Sequence, residues 1–452
     1  MARRLGLVVA CAACAACALG CGDNIPPPSF ELIGELSVER VATVSADDAL
    51  GIALAPLDEG AFVIARADSR GGTFCPGCVD LEPAQCPAIC RRAVIEVAVH
   101  GTSGTVEPSH RVADVFPATD QHAVRAIDLV VLDRMHVGVA WLDCDHAACA
   151  PMLAKQSCTA FYATVDLGSG SIGPIATLYE DRYGDLQLAF DPRARRLLAV
   201  VGTQHASSTG VRAAIYDETA ATQLAPWKAF GGTSARAPAV TVTAGGFLIV
   251  ADDPAPGRPT PPEPCAESCE CLSAAPPELP TGGLYAFRPG LDLSAERIAP
   301  GRGIDGLYGA REAIAVVDAG SRVMVASSQA RDRAAELFEP AIGGWLRRYG
   351  SRAPVPSWVG ALADRNHLVW LGTEPVDDGN PAQRLVAGVF TDDAEERGLV
   401  SELDAGEVLE AAPVITETGA TRTFLLRGVL APGGPAAPGW DRFEVLQVRA
   451  DW

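Results

Sequence analysis

Residues 186–204 read LQLAFDPRARRLLAVVGTQ: two short apolar runs on either side of a polar Asp-Pro-Arg-Ala-Arg stretch. Each run is too short for a helix, and the residues between them are ones that reverse a chain. The segment is therefore predicted to be a β-hairpin. The same unit recurs at 51–68 (GIALAPLDEGAFVIARAD), 127–143 (IDLVVLDRMHVGVAWLD), 238–252 (PAVTVTAGGFLIVAD), 313–329 (AIAVVDAGSRVMVASSQ), 359–374 (VGALADRNHLVWLGTE) and 413–429 (PVITETGATRTFLLRGV). After each hairpin come a loop, a third strand and a more polar fourth segment. The third strands are Ala93–Val99, Ala160–Val165, Val211–Tyr216, Gly283–Phe287, Ala334–Phe338, Leu385–Phe390 and Arg442–Val448. Helical periodicity is scarce, so the chain is predicted to be all-β.

Four antiparallel strands repeated about seven times resemble a β-propeller. The resemblance covers residues 35–452 and implies one domain of seven four-stranded blades. A lone blade cannot cover both of its faces; blades packed around an axis cover one another, and closing the ring protects the sheet edges. The seventh unit holds only three strands, and Glu35–Val44 (ELSVERVATV) precedes the first unit as an extra one. That N-terminal strand is expected to join the last blade. The resemblance is one of pattern: no WD dipeptide, kelch double glycine or tryptophan-docking repeat names a subfamily.

Upstream, residues 1–21 read MARRLGLVVACAACAACALGC. Arg3 and Arg4 precede an apolar, small-residue run that is too short and Ala-rich for a spanning helix and suits an export signal. The box Ala18-Leu19-Gly20-Cys21 is similar to a bacterial lipoprotein signal, although the aliphatic residue and the small residue before the cysteine are swapped relative to the usual order. The resemblance implies a signal peptide at 1–20, acylation of Cys21 and a membrane anchor. With Gly22 following the cysteine, it also implies a cell-envelope lipoprotein of the outer membrane. Cleavage without lipidation, giving a soluble exported protein, is the alternative. Residues 21–34, with Pro26-Pro27-Pro28, read as a short extended tether.

The chain has 452 residues, 48% of them hydrophobic, with 36 Lys+Arg against 56 Asp+Glu and a net charge of −20. That is enough apolar content for a large core. The acidity argues against a nucleic-acid partner, which needs a basic surface, and against a polybasic membrane patch.

Of the 14 cysteines, Cys11, Cys14 and Cys17 would leave with the signal. Ten besides Cys21 remain, in three clusters: Cys75, Cys78, Cys86 and Cys90; Cys144, Cys149 and Cys158; Cys265, Cys269 and Cys271. An even number in an exported protein reads as disulfides. The spacing of the first cluster also suits a zinc site, and Cys75-x-x-Cys78 a redox pair. If every cysteine pairs, at least one bond joins the second cluster to the third, or one joins each of them to the first. All ten fall in long loops between second and third strands, 69–92, 144–158 and 253–281, which the propeller resemblance gathers on one face.

Second strands end in acids at Asp68, Asp143, Asp252 and Glu374. These are weak candidates for Ca²⁺ or another divalent metal, or simply turn caps. His100, His110, His122, His136, His146, His205 and His367 show no ligand spacing. No GxSxG, Walker loop or dinucleotide fingerprint occurs. No cofactor and no catalytic residue is expected. Tryptophans could pack inside blades or stack on sugars. The favoured expectation is a non-enzymatic binding or assembly module that uses its loop-rich face for a protein or glycan ligand. The alternative is an exported, metal-dependent hydrolase or lyase.

Overall fold

The computed structural model describes residues 30–450 except 47–48, 59, 72–90, 102–108, 116–121, 146–157, 182–184, 203–210, 231–235, 244, 254–282, 288–295, 301–310, 319–322, 330–333, 342–343, 351–357, 364–367, 376–382, 391–395, 404–405, 416–420 and 431–439. The leader and Cys21 lie outside the described residues, as do Cys75, Cys78, Cys86, Cys90, Cys149, Cys265, Cys269 and Cys271.

Two strands, β1 (Phe30–Glu35) and β2 (Ser37–Ser45), precede the repeats. The first sheet holds β3 (Ala49–Pro56), β4 (Ala61–Gly71), β5 (Arg91–Gly101) and β6 (His110–Val115). The second holds β7 (His122–Val131), β8 (His136–Asp145), β9 (Cys158–Asp166) and β10 (Ala176–Asp181). The third holds β11 (Asp185–Asp191), β12 (Arg196–Gly202), β13 (Val211–Asp217) and β14 (Gln223–Phe230). The fourth holds β15 (Arg236–Thr243), β16 (Gly246–Asp253), β17 (Gly283–Phe287) and β18 (Glu296–Pro300). The fifth holds β19 (Arg311–Asp318), β20 (Val323–Gln329), β21 (Ala334–Ala341) and β22 (Gly344–Gly350). The sixth holds β23 (Trp358–Ala363), β24 (Leu368–Pro375), β25 (Gln383–Phe390) and β26 (Glu396–Leu403). The seventh holds β27 (Gly406–Ile415), β28 (Thr421–Leu430) and β29 (Trp440–Ala450), with β2 as its fourth strand. The chain is thus all-β and propeller-like, built of four-stranded antiparallel repeats.

Within a repeat, burial follows position. In the third sheet the second strand, β12, is buried at every residue but its first, on both faces. The fourth strand, β14, is mostly exposed. A strand covered on both sides is apolar at consecutive residues, which is why RLLAVVG does not alternate. An outer strand has one row of backbone groups in solvent and carries Gln223 and Lys228 without cost.

Neighbouring sheets supply the cover. First strands lie side by side: β3 by β7, β7 by β11, β11 by β15, β15 by β19, β19 by β23, β23 by β27, and β27 by β3. Apolar clusters fill the spaces between sheets one and two (Val63, Val97, Val139, Trp141), two and three (Leu142, Tyr162, Leu197, Val201) and three and four (Leu198, Val200, Ile249). Further clusters lie between sheets six and seven (Leu371, Leu385, Leu425, Val448) and between seven and one (Phe424, Leu426, Phe62, Ile64). Phe62 and Phe424 are fully buried, with ring centroids 4.9 Å apart across that last space. Two glycines admit large neighbours. A Cβ on Gly138 would stand 2.2 Å from the Tyr162 hydroxyl, which crosses to donate to the Glu218 carbonyl at 2.8 Å. A Cβ on Gly428 would meet the Trp440 ring at 2.5 Å.

The chain enters the sheets earlier than the boundary at residue 35. Phe30–Glu35, all but its last residue within the expected tether, pairs in parallel with β26 as a fifth strand on the sixth sheet. Leu36 is then buried among Leu371, Leu385 and Leu446, between sheets six and seven. From Ser37 the chain pairs antiparallel with β29. One extended segment therefore straps two neighbouring sheets, with Leu36 as the peg.

A row of charges crosses the strapped sheet. Glu444 on β29 accepts from Arg40 of β2 at 3.1 Å and from Arg442 at 3.0 Å, and it faces Arg427 of β28 at 4.0 Å. Burial disfavours the ionised Glu444, but the hydrogen bonds from Arg442 and Arg40 and the charge of Arg427 outweigh it and hold its carboxyl below the ordinary 4.5. A carboxylate with a depressed folded pKa adds stability that is complete above the unfolded pKa and is lost as pH falls through the folded one. Unfolding midpoints should therefore decline as pH drops below about 4.5. Glu444→Gln should flatten that decline and cost about 3 kcal/mol at neutral pH, since Arg427 loses this carboxylate. Urea titrations across pH check both.

Phe424→Ala should lower stability by about 3–5 kcal/mol, because the space between sheets seven and one collapses only in part. Glu39→Ala on the exposed edge should stay within about 0.5 kcal/mol. Chemical denaturation separates the two.

Candidate functional site

Antiparallel order gives every sheet two unlike ends. At one, the turn end, strand one turns back into strand two and, in the first six sheets, strand three into strand four; in the seventh sheet the fourth strand is β2, from the start of the chain. At the other, the connection end, the second strand passes to the third and the chain leaves for the next sheet.

In sheets one to three, the described turns are closed by aspartates. Asp58 Oδ1 accepts from Gly60 N at 2.7 Å, Asp133 Oδ1 from Met135 N and His136 N at 2.8 and 2.9 Å, and Asp166 Oδ1 from Gly168 N and Ser169 N at 2.9 Å. Asp191 Oδ1 accepts from Arg193 N at 3.0 Å and Asp217 Oδ1 from Ala221 N at 3.0 Å. These are turns in which a short carboxylate takes over backbone donors. His136 lies between two of them, Nδ1 2.8 Å from Asp133 Oδ1 and Nε2 3.7 Å from Asp166 Oδ2. For Asp166 the Ser169 N–H is the leading cause that holds the carboxyl below the usual range. For Asp133, desolvation works the other way and is outweighed by the donors of Met135 and His136. His136 is thereby a turn residue, as its place beside the hairpin suggests.

The connection ends carry the acids singled out from sequence. Asp68 lies near the end of β4, 8% exposed, and is ion-paired with Arg66 on the same strand. Asp143 on β8 stands opposite Val124 and Thr159 and is half-buried. Asp252 on β16 pairs with Arg236 and Leu284, and Glu374 on β24 with Arg384, as backbone partners. These four acids sit on four separate sheets. Among the described residues, no group of three or more His, Cys, Asp or Glu side chains is placed to hold a metal ion. Nor, among those residues, is any helix long and apolar enough to cross a membrane.

Cys158 opens β9 at this same end. It is disulfide-bonded and 2% exposed, and the backbone of Cys144 stands directly opposite it. Three residues before Cys144, Trp141 is buried between sheets one and two and stacks on Phe161 at 5.7 Å. Among the described residues, its indole N–H meets no acceptor. Two other tryptophans also pack rather than present a free ring. Trp227 donates to the Leu178 carbonyl and the Tyr216 hydroxyl, both at 2.8 Å, and its ring lies 4.4 Å from that of Tyr179. Trp440 lies over Gly428. Arg212 Nη1 donates to the Tyr179 hydroxyl at 2.5 Å, so sheets two and three are interlocked by polar aromatics. No spacing signal marked Tyr179 or Arg212 in the sequence, because the two meet across neighbouring sheets; Arg66 stands two residues before Asp68 on the same strand, a spacing the sequence reading passed over.

No protein-family model matches the chain, and no curated protein matches it. Among solved structures, the protein titled YCF48 bound to D1 peptide is similar over 93% of this chain and 97% of its own, at 9% identity and a TM-score of 0.41. Hydrazine synthase of Kuenenia stuttgartiensis is similar over 79% of this chain and 95% of its own, at 10% identity and 0.41. The hemagglutinin-neuraminidase ectodomain of parainfluenza virus 5 is similar over 73% and 81%, at 7% identity and 0.39.

Trp141 yields a discriminating variant. Trp141→Phe keeps most of the apolar packing and removes a buried donor without an acceptor, so it should change stability by no more than about 1 kcal/mol. Trp141→Ala should cost about 3–5 kcal/mol. Thermal unfolding of the two variants measures the difference.

Proposed function

We propose that the protein is an exported lipoprotein, anchored through acylated Cys21, whose sheets form one closed seven-bladed propeller that serves as a binding or assembly module rather than an enzyme. The observation that carries the propeller reading is the succession of first strands, in which β27 lies against β3 as the others lie against their successors. Packing of sheet seven on sheet one and the pairing of β2 with β29 support closure. Export is supported by the signal-like leader and by Cys158, whose disulfide suits an oxidising compartment. The remaining cysteines of the connections are read as disulfides too, cross-linking long loops and lowering the entropy lost on ordering them. The working surface in this reading is the connection end, to which the sequence pattern assigns the long loops 69–92, 144–158 and 253–281. A protein or glycan ligand is the proposed partner.

The anchor is tested by Cys21→Ala. The full-length chain should enter the detergent phase of a phase-separation assay and carry the mass of acyl chains at residue 21; the variant should remain aqueous and unacylated. An aqueous, unmodified wild-type protein would replace this reading with soluble export. Elemental analysis of the purified protein bears on the role: stoichiometric metal, with a hydrolytic or lyase activity lost on chelation, would replace the binding module with the enzyme.

A further inference from the structure

The strap fixes where the membrane must lie. Phe30 pairs with Glu396, the first residue of β26 after the strand three to strand four connection, so the chain joins sheet six at its turn end. Ser37 pairs with Arg449 at the turn end of sheet seven, and Ser45 with Arg442 at the connection end. Between Cys21 and Phe30 there is too little chain to reach round the sheets. Nine peptide steps that include a triple proline span about 28–32 Å even when fully extended. The length of β2 alone, nine residues, is about 30 Å. To lay the connection end on the bilayer, the tether would have to run back along that whole length, which would use all of its reach.

We infer that the anchored protein stands with its turn ends toward the bilayer and its connection ends, with the cysteine-bearing segments, pointing away from the lipid. The inference rests on the lipid-anchored reading above and adds a polarity to it. It divides the molecule into a lipid-facing end, closed in sheets one to three by self-satisfied aspartate turns, and an outward end available to a macromolecular partner. The acidic chain and an anionic leaflet repel only within about 8 Å at physiological salt, a distance the tether exceeds.

The two ends of β2 make the test. Ser37 and Thr43 are both exposed, sit on one strand and have no part in the buried clusters. Each is replaced in turn by a click-reactive amino acid carrying a fluorophore, in the full-length acylated protein bound to vesicles of neutral phospholipid with a headgroup-linked quencher. The fluorophore at Ser37 should be quenched several-fold more than that at Thr43. Lengthening the tether by a flexible insert after Pro28 should shrink that ratio toward one. Equal quenching at the native tether length, or stronger quenching at Thr43, overturns the polarity while leaving the anchor intact. Failure of the acylated protein to bind vesicles overturns the anchor and the polarity with it. Flotation of the vesicles, scored before any fluorescence, tells these failures apart.

Discussion

Everything in this structure depends on the fact that a four-stranded sheet rich in Val, Leu, Ile and Ala has two apolar faces and no means of covering either by itself. In sheet three, Leu197, Ala199 and Val201 go into the space shared with sheet two, and Leu198 and Val200 into the space shared with sheet four. Each sheet is stable only while two neighbours are in place. A row of such sheets has two terminal faces, and burial of a Phe or Leu side chain is worth about 1.5–3 kcal/mol. The terminal faces of a seven-sheet row are therefore expensive to leave in water, and Phe424 and Phe62 are where they meet.

The N-terminal strap follows from the same constraint. An outer edge exposes unpaired backbone groups, and the seventh sheet would end at its third strand, β29, without β2. β2 covers that edge and brings Arg40 to Glu444, so part of the binding is electrostatic and specific to this strand. β1 does more than cover an edge. By pairing with sheet six before Leu36 descends between the sheets, it makes the segment span an interface instead of ending at one. Pulling on the chain upstream of Phe30 loads two rows of hydrogen bonds and a buried leucine together.

Most of the strand order was legible because central strands in this arrangement are apolar without interruption and turns between them carry Asp, Gly or Asn. The hairpins at 51–68, 127–143 and 413–429 are β3–β4, β7–β8 and β27–β28, and the third strand Gly283–Phe287 is β17 residue for residue. β1 was not legible. FELIGE follows a proline run, and an edge strand gains too little from burial to show in its own composition; its pairing partner lies some 366 positions away, at Glu396. The charged row was equally hidden. In RFEVLQV only Arg442 hints at the pairing of Glu444; Arg40 and Arg427 come from β2 and β28. At the connection ends, the acids were read as a possible set. Their placement on four different sheets depends on tertiary position that period-2 patterns do not encode, whereas the Arg66–Asp68 pair, two residues apart on one strand, is a period-2 neighbour that was overlooked.

Where they are described, the two ends of the sheets are closed by different means. At the turn ends, Asp58, Asp133, Asp166, Asp191 and Asp217 satisfy neighbouring backbone donors within four residues, so each hairpin is closed by its own atoms. Such turns leave few polar groups to offer a partner, and their sequences are constrained by the turn itself. The connection ends carry no such local closure at Cys158, whose disulfide ties the start of β9 to another point of the chain. Cross-links of that kind let a connection vary in length and composition while its base stays fixed, because the bond restricts the unfolded chain whatever the intervening residues are.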